Sequence, residues 1–126
     1  MAFMRLFLSF LVLMVSSMAA VADTVLYMAE EHGCYWCERW NEEIAHIYPK
    51  TEAGQAAPLQ RFDLGNGTPA SVEFSKSVHY TPTFIIVQDN KEIGRIEGYP
   101  GEDFFWPMLE TMLADAEILT EQADQL

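Results

Sequence analysis

The sequence predicts an α/β domain: a central mixed four-stranded sheet flanked by helices on both faces. Three observations lead there. Short β-rich apolar runs alternate with segments of helical periodicity in the order strand, helix, strand, helix, strand, strand, helix. The third and fourth strands are separated only by a tight polar turn, so they pair directly as a hairpin within an otherwise helix-connected sheet. Half of the 126 residues are hydrophobic and 13% are aromatic, enough for one core at this length and unlike a disordered acidic chain.

Residues 24–28 (TVLYM) read as a buried strand, followed by a loop over the acidic, Gly-containing stretch 29–33. From residue 34 to 48 the apolar positions Trp36, Cys37, Trp40, Ile44 and Ile47 recur at three and four residues, and Pro49 stops the pattern. That predicts one amphipathic helix. Residues 51–57 form a short second helix despite Gly54, and residues 59–64 (LQRFDL) alternate as a second strand. The Gly65-Asn66-Gly67-Thr68-Pro69 cluster is a turn, and residues 71–78 are expected to be helical. Residues 83–88 (TFIIVQ) are the most strand-like run, turned by Asp89-Asn90-Lys91 into a partner strand over 92–97. After Gly98-Tyr99-Pro100-Gly101, apolar residues at 105, 108, 109, 112, 113 and 116 predict a helix over 102–119, with acidic residues at its positive end. Pro107 fits only near the start of that helix, where its missing N–H has little to lose. Residues 120–126 are expected to fray. Repeats, linkers and low-complexity tracts are absent from the sequence.

The first 22 residues differ from the rest. Arg5 is their only charged side chain, residues 6–15 are apolar except for Ser9, and Ala20-Val21-Ala22 precedes Asp23. This reads as a secretory signal peptide cleaved after Ala22. An N-terminal membrane anchor needs about 20 apolar residues, and this run is shorter. Residues 23–126 then form the single mature domain. With 19 acids against 7 bases the net charge is −12, which disfavours nucleic acid and anionic membrane surfaces, both of which require clustered Lys and Arg. A domain of about 100 residues can form a core without disulfide staples, so its two cysteines are free for chemistry. Export would place them where thiols tend to oxidise.

Cys34-Tyr35-Trp36-Cys37 falls where the loop after the first strand enters the first helix. Unpaired backbone N–H groups and the positive end of the dipole lower a thiol pKa there, and the thiolate is the species that attacks disulfides. Cys34, nearer the cap, is the expected nucleophile. Cys37 lies one turn along and is the expected resolving thiol. Two other readings remain, a structural disulfide and half of a metal site with His32 or a remote histidine. A bridge across so short a loop removes little entropy from the unfolded chain. His32, His46 and His79 offer no pair at metal-ligand spacing, so no metal is expected. The second group is His79-Tyr80-Thr81-Pro82-Thr83, a proline just before the most strand-like run. It either begins an edge strand or carries a cis Thr81–Pro82 bond facing the cysteines, leaving the Thr81 backbone free to pair with an extended substrate.

Taken together, Cys-x-x-Cys after the first strand, Thr-Pro some way downstream, a hairpin, a Gly and a last helix resemble the thioredoxin superfamily. More narrowly, GCYWCERW, YPKTEAGQAAPLQR, TPTF and EGYPGEDFFWPML resemble the periplasmic SoxS-type thioredoxins associated with sulfur-oxidation (thiosulfate-oxidising) systems, over residues 23–116. The resemblance implies a thioredoxin-like fold and a periplasmic thiol–disulfide oxidoreductase acting as a reductant. Cys34 would attack, Cys37 resolve, and Thr81 with cis-Pro82 shape the substrate groove. No cofactor is implied beyond the Cys34–Cys37 disulfide. The client would be a protein disulfide or mixed disulfide on a sulfur-oxidation carrier, and electrons would come from a membrane thiol transporter of the CcdA or DsbD kind. A disulfide oxidase or isomerase, or a redox-inert adaptor with a structural disulfide, are the alternatives.

The chain departs from ordinary thioredoxin in ways that bear on potential and access. His32-Gly33 stands where a Trp usually precedes the first cysteine, Tyr35-Trp36 replaces Gly-Pro, and Met28 occupies the position of the buried Asp that handles protons. Glu30, Glu31 or Glu42 would have to substitute through water. Glu30, Glu31 and Glu38 should raise the Cys34 pKa, while His32, Arg39 and the helix dipole lower it; the acidic balance favours the reducing side. Trp40, Phe104, Phe105 and Trp106 read as core or groove wall. Tyr35 and Trp36, inside a short loop at a helix cap, are expected to stay exposed and contact the client, with Tyr99 as a further groove residue. His46 and His79 are expected to be ordinary residues outside the site.

Overall fold

The structure, a computed structural model, describes residues 23–119. The leader expected over 1–22 and the fraying expected over 120–126 lie outside the described residues. Strands β1 (Thr24–Glu30), β2 (Leu59–Asp63), β3 (Thr83–Gln88) and β4 (Lys91–Glu97) form one sheet in the order β2-β1-β3-β4. β1 runs parallel to β2 and antiparallel to β3, and β3 is antiparallel to β4. This is the expected mixed sheet. β1 extends to Glu30 because Ala29 and Glu30 still pair with Phe62 and Asp63. The central strand β3 is covered on both faces, so Phe84, Ile85, Ile86 and Val87 are all buried and the run is apolar throughout. The hairpin loop is only Asp89 and Asn90, both at positive φ (52° and 65°), the geometry that matches strand twist. Lys91, expected in the turn, pairs with Gln88.

Side chains alternate across the sheet. Leu26, Met28, Phe84, Ile86 and Ile96 turn to one face and pack against Trp40, Ile44, Tyr48, Ala53, Phe105, Leu109 and Leu113. All three helices, α1 (Tyr35–Trp40), α2 (Glu52–Ala56) and α3 (Glu102–Asp115), lie on that face. Ala29, Ile85 and Val87 turn to the other face, where Val72, Val78, Phe62, Leu64 and Phe74 cover them. There the covering chain is irregular except for a 3-10 turn at Leu64–Asn66. The expected class and sheet stand, but among the described residues the second face carries no α-helix.

The difference arises at residues 71–78, expected to be helical. Val72, Phe74 and Val78 do point inward, but the backbone bonds to the hairpin instead of to itself. Glu73 donates to the Asn90 carbonyl (2.8 Å) and accepts from the Glu92 N–H (2.9 Å). A bulge at Ile93 sets this up: Ile86 pairs with Gly94 but Val87 with Glu92, so Glu92 and Arg95 share a face that an unbroken strand would split. Glu92 accepts from the Ser75 N–H (2.8 Å), and Arg95 donates to the Lys76 carbonyl (2.8 Å), the Ser77 carbonyl (3.2 Å) and Glu92.

The helical face departs from expectation in detail. The single helix expected over 34–48 is α1, then a π-helical turn at Asn41–Ala45, then a 3-10 turn at Tyr48–Lys50 containing Pro49. In the wider turn Glu43 accepts hydrogen bonds from both Arg39 and Tyr99. α2 is capped by Thr51, whose hydroxyl accepts the Gly54 N–H at 3.0 Å. A Cβ on Gly54 would lie 1.8 Å from the Tyr48 carbonyl oxygen, so only glycine permits this close approach. α3 stops at Asp115, and Pro107 is its exposed sixth residue, deeper than expected and at the cost of one i→i−4 bond.

Candidate active site

β1 delivers the chain to a turn in which the Cys34 N–H donates to the Glu31 carbonyl at 3.4 Å. Gly33, at φ 75°, supplies the left-handed residue that such a turn favours at its third position. Cys34 is the N-cap of α1, and its sulfur accepts the Cys37 N–H at 3.1 Å. Negative charge on Cys34 Sγ would be stabilised by that donor and by the amides at the helix start. The two cysteines are joined by a disulfide, their Cα atoms 5.2 Å apart. Cys37 is 4% exposed while Cys34 is half-buried and opens to solvent.

A cleft of about 330 Å³ runs along the disulfide, lined by both cysteines and by Glu30, Glu31, His32, Glu38 and Asp63. Its charge is carried by carboxylates. The Glu30 carboxylate is paired with Arg61 at 2.7 Å, and Arg39 turns away to Glu42 and Glu43, so of the two bases expected to temper the acids only His32 lines the cleft. Met28 is fully buried among apolar side chains. Of the carboxylates expected to replace the missing buried acid, Glu30 and Glu31 line the cleft, whereas Glu42, in the π-helical turn, is exposed beside Arg39 and does not. Sequence reasoning missed Asp63. The available signal was topological: β2 is parallel to β1, so the last residue of β2 emerges at the same sheet edge as the cysteine loop, opposite Glu30.

The second group meets the first across this edge. The Thr81–Pro82 bond is cis. Pro82 is buried and its carbonyl accepts the Gly98 N–H at 2.7 Å, while the Thr83 hydroxyl donates to the Tyr80 carbonyl at 2.7 Å. The Thr81 hydroxyl donates to Glu31 Oε1 at 3.0 Å. Among the described residues, the Thr81 N–H and C=O have no hydrogen-bond partner.

Tyr35 and Trp36, expected in a loop at the cap, are the first two residues of α1 and project to solvent, 62% and 53% exposed, with their rings edge-on. Tyr80, as exposed as Tyr35, is a further aromatic beside Thr81 that the sequence reading did not single out. Tyr99 is not in the groove. It is 7% exposed, its ring packs against Phe105, and its hydroxyl donates to Glu43; burial first, then the Glu43 hydrogen bond, pushes its phenol well above the usual value. The physical reason is that the Phe105 ring and the Glu43 carboxylate hold the side chain inward, between Gly98 and Gly101, both at positive φ. Trp40 and Phe105 are core, Trp106 stacks on Tyr48, and Phe104, expected among them, is exposed. His46 and His79 are exposed. Among the described residues, no three His, Cys, Asp or Glu side chains are grouped to hold a metal ion, and no helix is long and apolar enough to cross a membrane.

Comparison with known proteins places this geometry. No family model matches the chain, and no curated protein is significantly similar to it. Among solved structures, a thioredoxin from Malassezia sympodialis superposes with a TM-score of 0.53 at 14% identity, over 71% of this chain and 77% of that one, a likeness of fold. The periplasmic thioredoxin SoxS from Paracoccus pantotrophus, in its reduced form, superposes with a TM-score of 0.71 at 47% identity, over 74% of this chain and 98% of the other. With that identity spanning nearly the whole of the relative, the chain belongs to the SoxS-type thioredoxins, thiol–disulfide oxidoreductases of the thioredoxin superfamily.

Proposed function

We propose that this protein is an exported, periplasmic reductant that keeps a cysteine of a sulfur-oxidation partner usable. The observation that carries the mechanism is the unequal burial of the two sulfurs: Cys34 opens to the cleft and Cys37 lies beneath it. In the reduced protein the Cys34 thiolate attacks one sulfur of a partner disulfide. A bond forms between Cys34 and the attacked sulfur, the partner S–S bond breaks, and the other partner sulfur leaves as a thiolate. Cys37 then loses its proton and attacks Cys34 Sγ, which releases the sulfur first attacked as a thiolate and leaves the Cys34–Cys37 disulfide. Two electrons and two protons restore the dithiol, supplied by a membrane thiol transporter of the CcdA or DsbD kind. No cofactor other than this disulfide takes part.

The groove is formed by Tyr35, Trp36, Thr81 and Pro82, with the free N–H and C=O of Thr81 available to an extended partner segment. Direction follows from charge. Glu30, Glu31, Glu38 and Asp63 disfavour a thiolate on Cys34, whereas a strong oxidant depends on a highly stabilised thiolate. The relative's reduced form supports a disulfide that opens in the folded protein, in contrast to a staple. Export is supported by the leader-like residues 1–22 and by the relative's periplasmic location.

The reduction potential of the Cys34–Cys37 couple, equilibrated in defined thiol buffers, tests the reading. A value below about −200 mV supports a reductant, one near about −120 mV makes the protein an oxidant, and a disulfide that stays closed in the folded protein makes it a staple. Cys37→Ser protein, incubated with periplasmic extract, should accumulate a mixed disulfide through Cys34, whose partner mass spectrometry identifies.

A further inference from the structure

We infer that Glu31 is a positioning residue that holds Thr81 ready for the partner, clasping the two halves of the site. Two bonds converge on it. Its carbonyl takes the Cys34 N–H, fixing the turn that presents the sulfur. Its carboxylate takes the Thr81 hydroxyl at 3.0 Å, across 50 residues of sequence. A threonine hydroxyl without a partner tends to bond its own or neighbouring backbone groups. At Thr81 those groups are the ones an extended partner needs. Glu31 draws the hydroxyl away from them and restricts a β-branched side chain to one orientation, while Tyr80 and Gly98 anchor the flanking residues. Both side chains reach solvent, so the bond contributes little to stability and acts mainly on binding.

This rests on the reading that the partner lies across Thr81, and the test separates the two. Steady-state kinetics are measured with a disulfide-linked peptide and with 2-hydroxyethyl disulfide, which is too small to reach from Cys34 along the Thr81 backbone. For Glu31→Ala we expect KM for the peptide to lie about three- to ten-fold above that of Glu31→Gln, the worth of one hydrogen bond. Both variants lose the charge beside Cys34, so they should share one rate on the small disulfide and one reduction potential. Glu31→Gln, which keeps the acceptor, should keep the wild-type KM for the peptide. Thr81→Val should match Glu31→Ala in KM, and the double variant should be no worse than either. An Ala variant that falls below Gln equally on both substrates, or a Gln variant whose KM is as high as that of Ala, would show an effect other than the hydroxyl bond and overturn the inference, as would an unchanged KM. Wild-type protein that reduces the small disulfide but no peptide would overturn the reading on which the inference rests.

Discussion

On one face of the sheet, three helices close over Trp40, Phe84 and Phe105, with the Phe105 ring edge to face against the other two, and α1 brings Cys34 and Cys37 to the sheet edge. On the other, an irregular chain lies over a smaller apolar cluster and is tied to the hairpin by Glu92 and Arg95 before it delivers Thr81 and Pro82 to the same edge. The site is therefore built by two different kinds of cohesion. The sulfur-bearing half is positioned mainly by apolar burial, which involves no titrating group and no charge for salt to screen. The groove half depends on charge and directed hydrogen bonds, which respond to both.

Removing the largest apolar contact should damage the whole molecule. Phe105 is fully buried and touches the rings of Trp40, Phe84, Tyr99 and Trp106, so Phe105→Ala should cost about 4 kcal/mol. Urea unfolding checks it. Both halves should be lost in one transition, because β1 and β3 contribute side chains to both clusters. Arg95→Met should cost less, about 3 kcal/mol, because it leaves the nearly buried Glu92 carboxylate without its cation. Its signature is local. Amide exchange should quicken over residues 72–82 while Leu109 and Leu113 in α3 keep their protection. Equal loosening of both regions would break the distinction between the faces.

Acid should act on the groove half first. Burial works to raise the Glu92 carboxyl, but hydrogen bonds from Arg95 and Ser75 and the Arg95 charge outweigh it and hold the group below the usual carboxylate range. Because the folded value is the lower one, the pair's contribution is complete above the unfolded carboxyl value of about 4.3 and fades as pH falls through the folded value. Stability measured between pH 7 and pH 3 should decline over that window, and Glu92→Gln should flatten this part of the decline.

The same contrast explains what the sequence made legible. Apolar periodicity reports burial, so the strands, α2, α3 and the core residues Trp40, Ile44, Phe105 and Leu109 could be read from it. Cys34 and Cys37 were legible from their spacing at a strand-to-helix junction. Residues 71–78 were not, because the bonds that keep them from coiling come from Asn90, Glu92 and Arg95 in the hairpin and depend on the Ile93 bulge. Tyr99, expected as a groove residue, is instead held inward by the Phe105 ring and by a hydrogen bond to Glu43 in a π turn that a helical pattern does not register. Asp63 and the Glu31–Thr81 bond are products of strand register and loop approach, which a linear pattern does not contain.

The smallest expected effect falls where apolar packing borders the acidic cleft. Arg61 lies over the Trp40 ring, 5.4 Å from its centroid, and pairs with Glu30 at 2.7 Å. Both charged side chains are about one-third exposed, so Arg61→Met should cost no more than about 1 kcal/mol, since an aliphatic chain can still cover the indole. The consequence for the cysteines is more informative. Without its cation, Glu30 presents an unopposed charge to the cleft beside Cys34, which should raise the thiol pKa and slow alkylation of the reduced protein below that pKa. Glu30→Gln in the same background should remove the effect. If alkylation of the Arg61→Met protein follows the wild-type pH profile, the Glu30 charge is screened before it reaches the sulfur, and the acidity of the cleft would then reside in Glu31, Glu38 and Asp63.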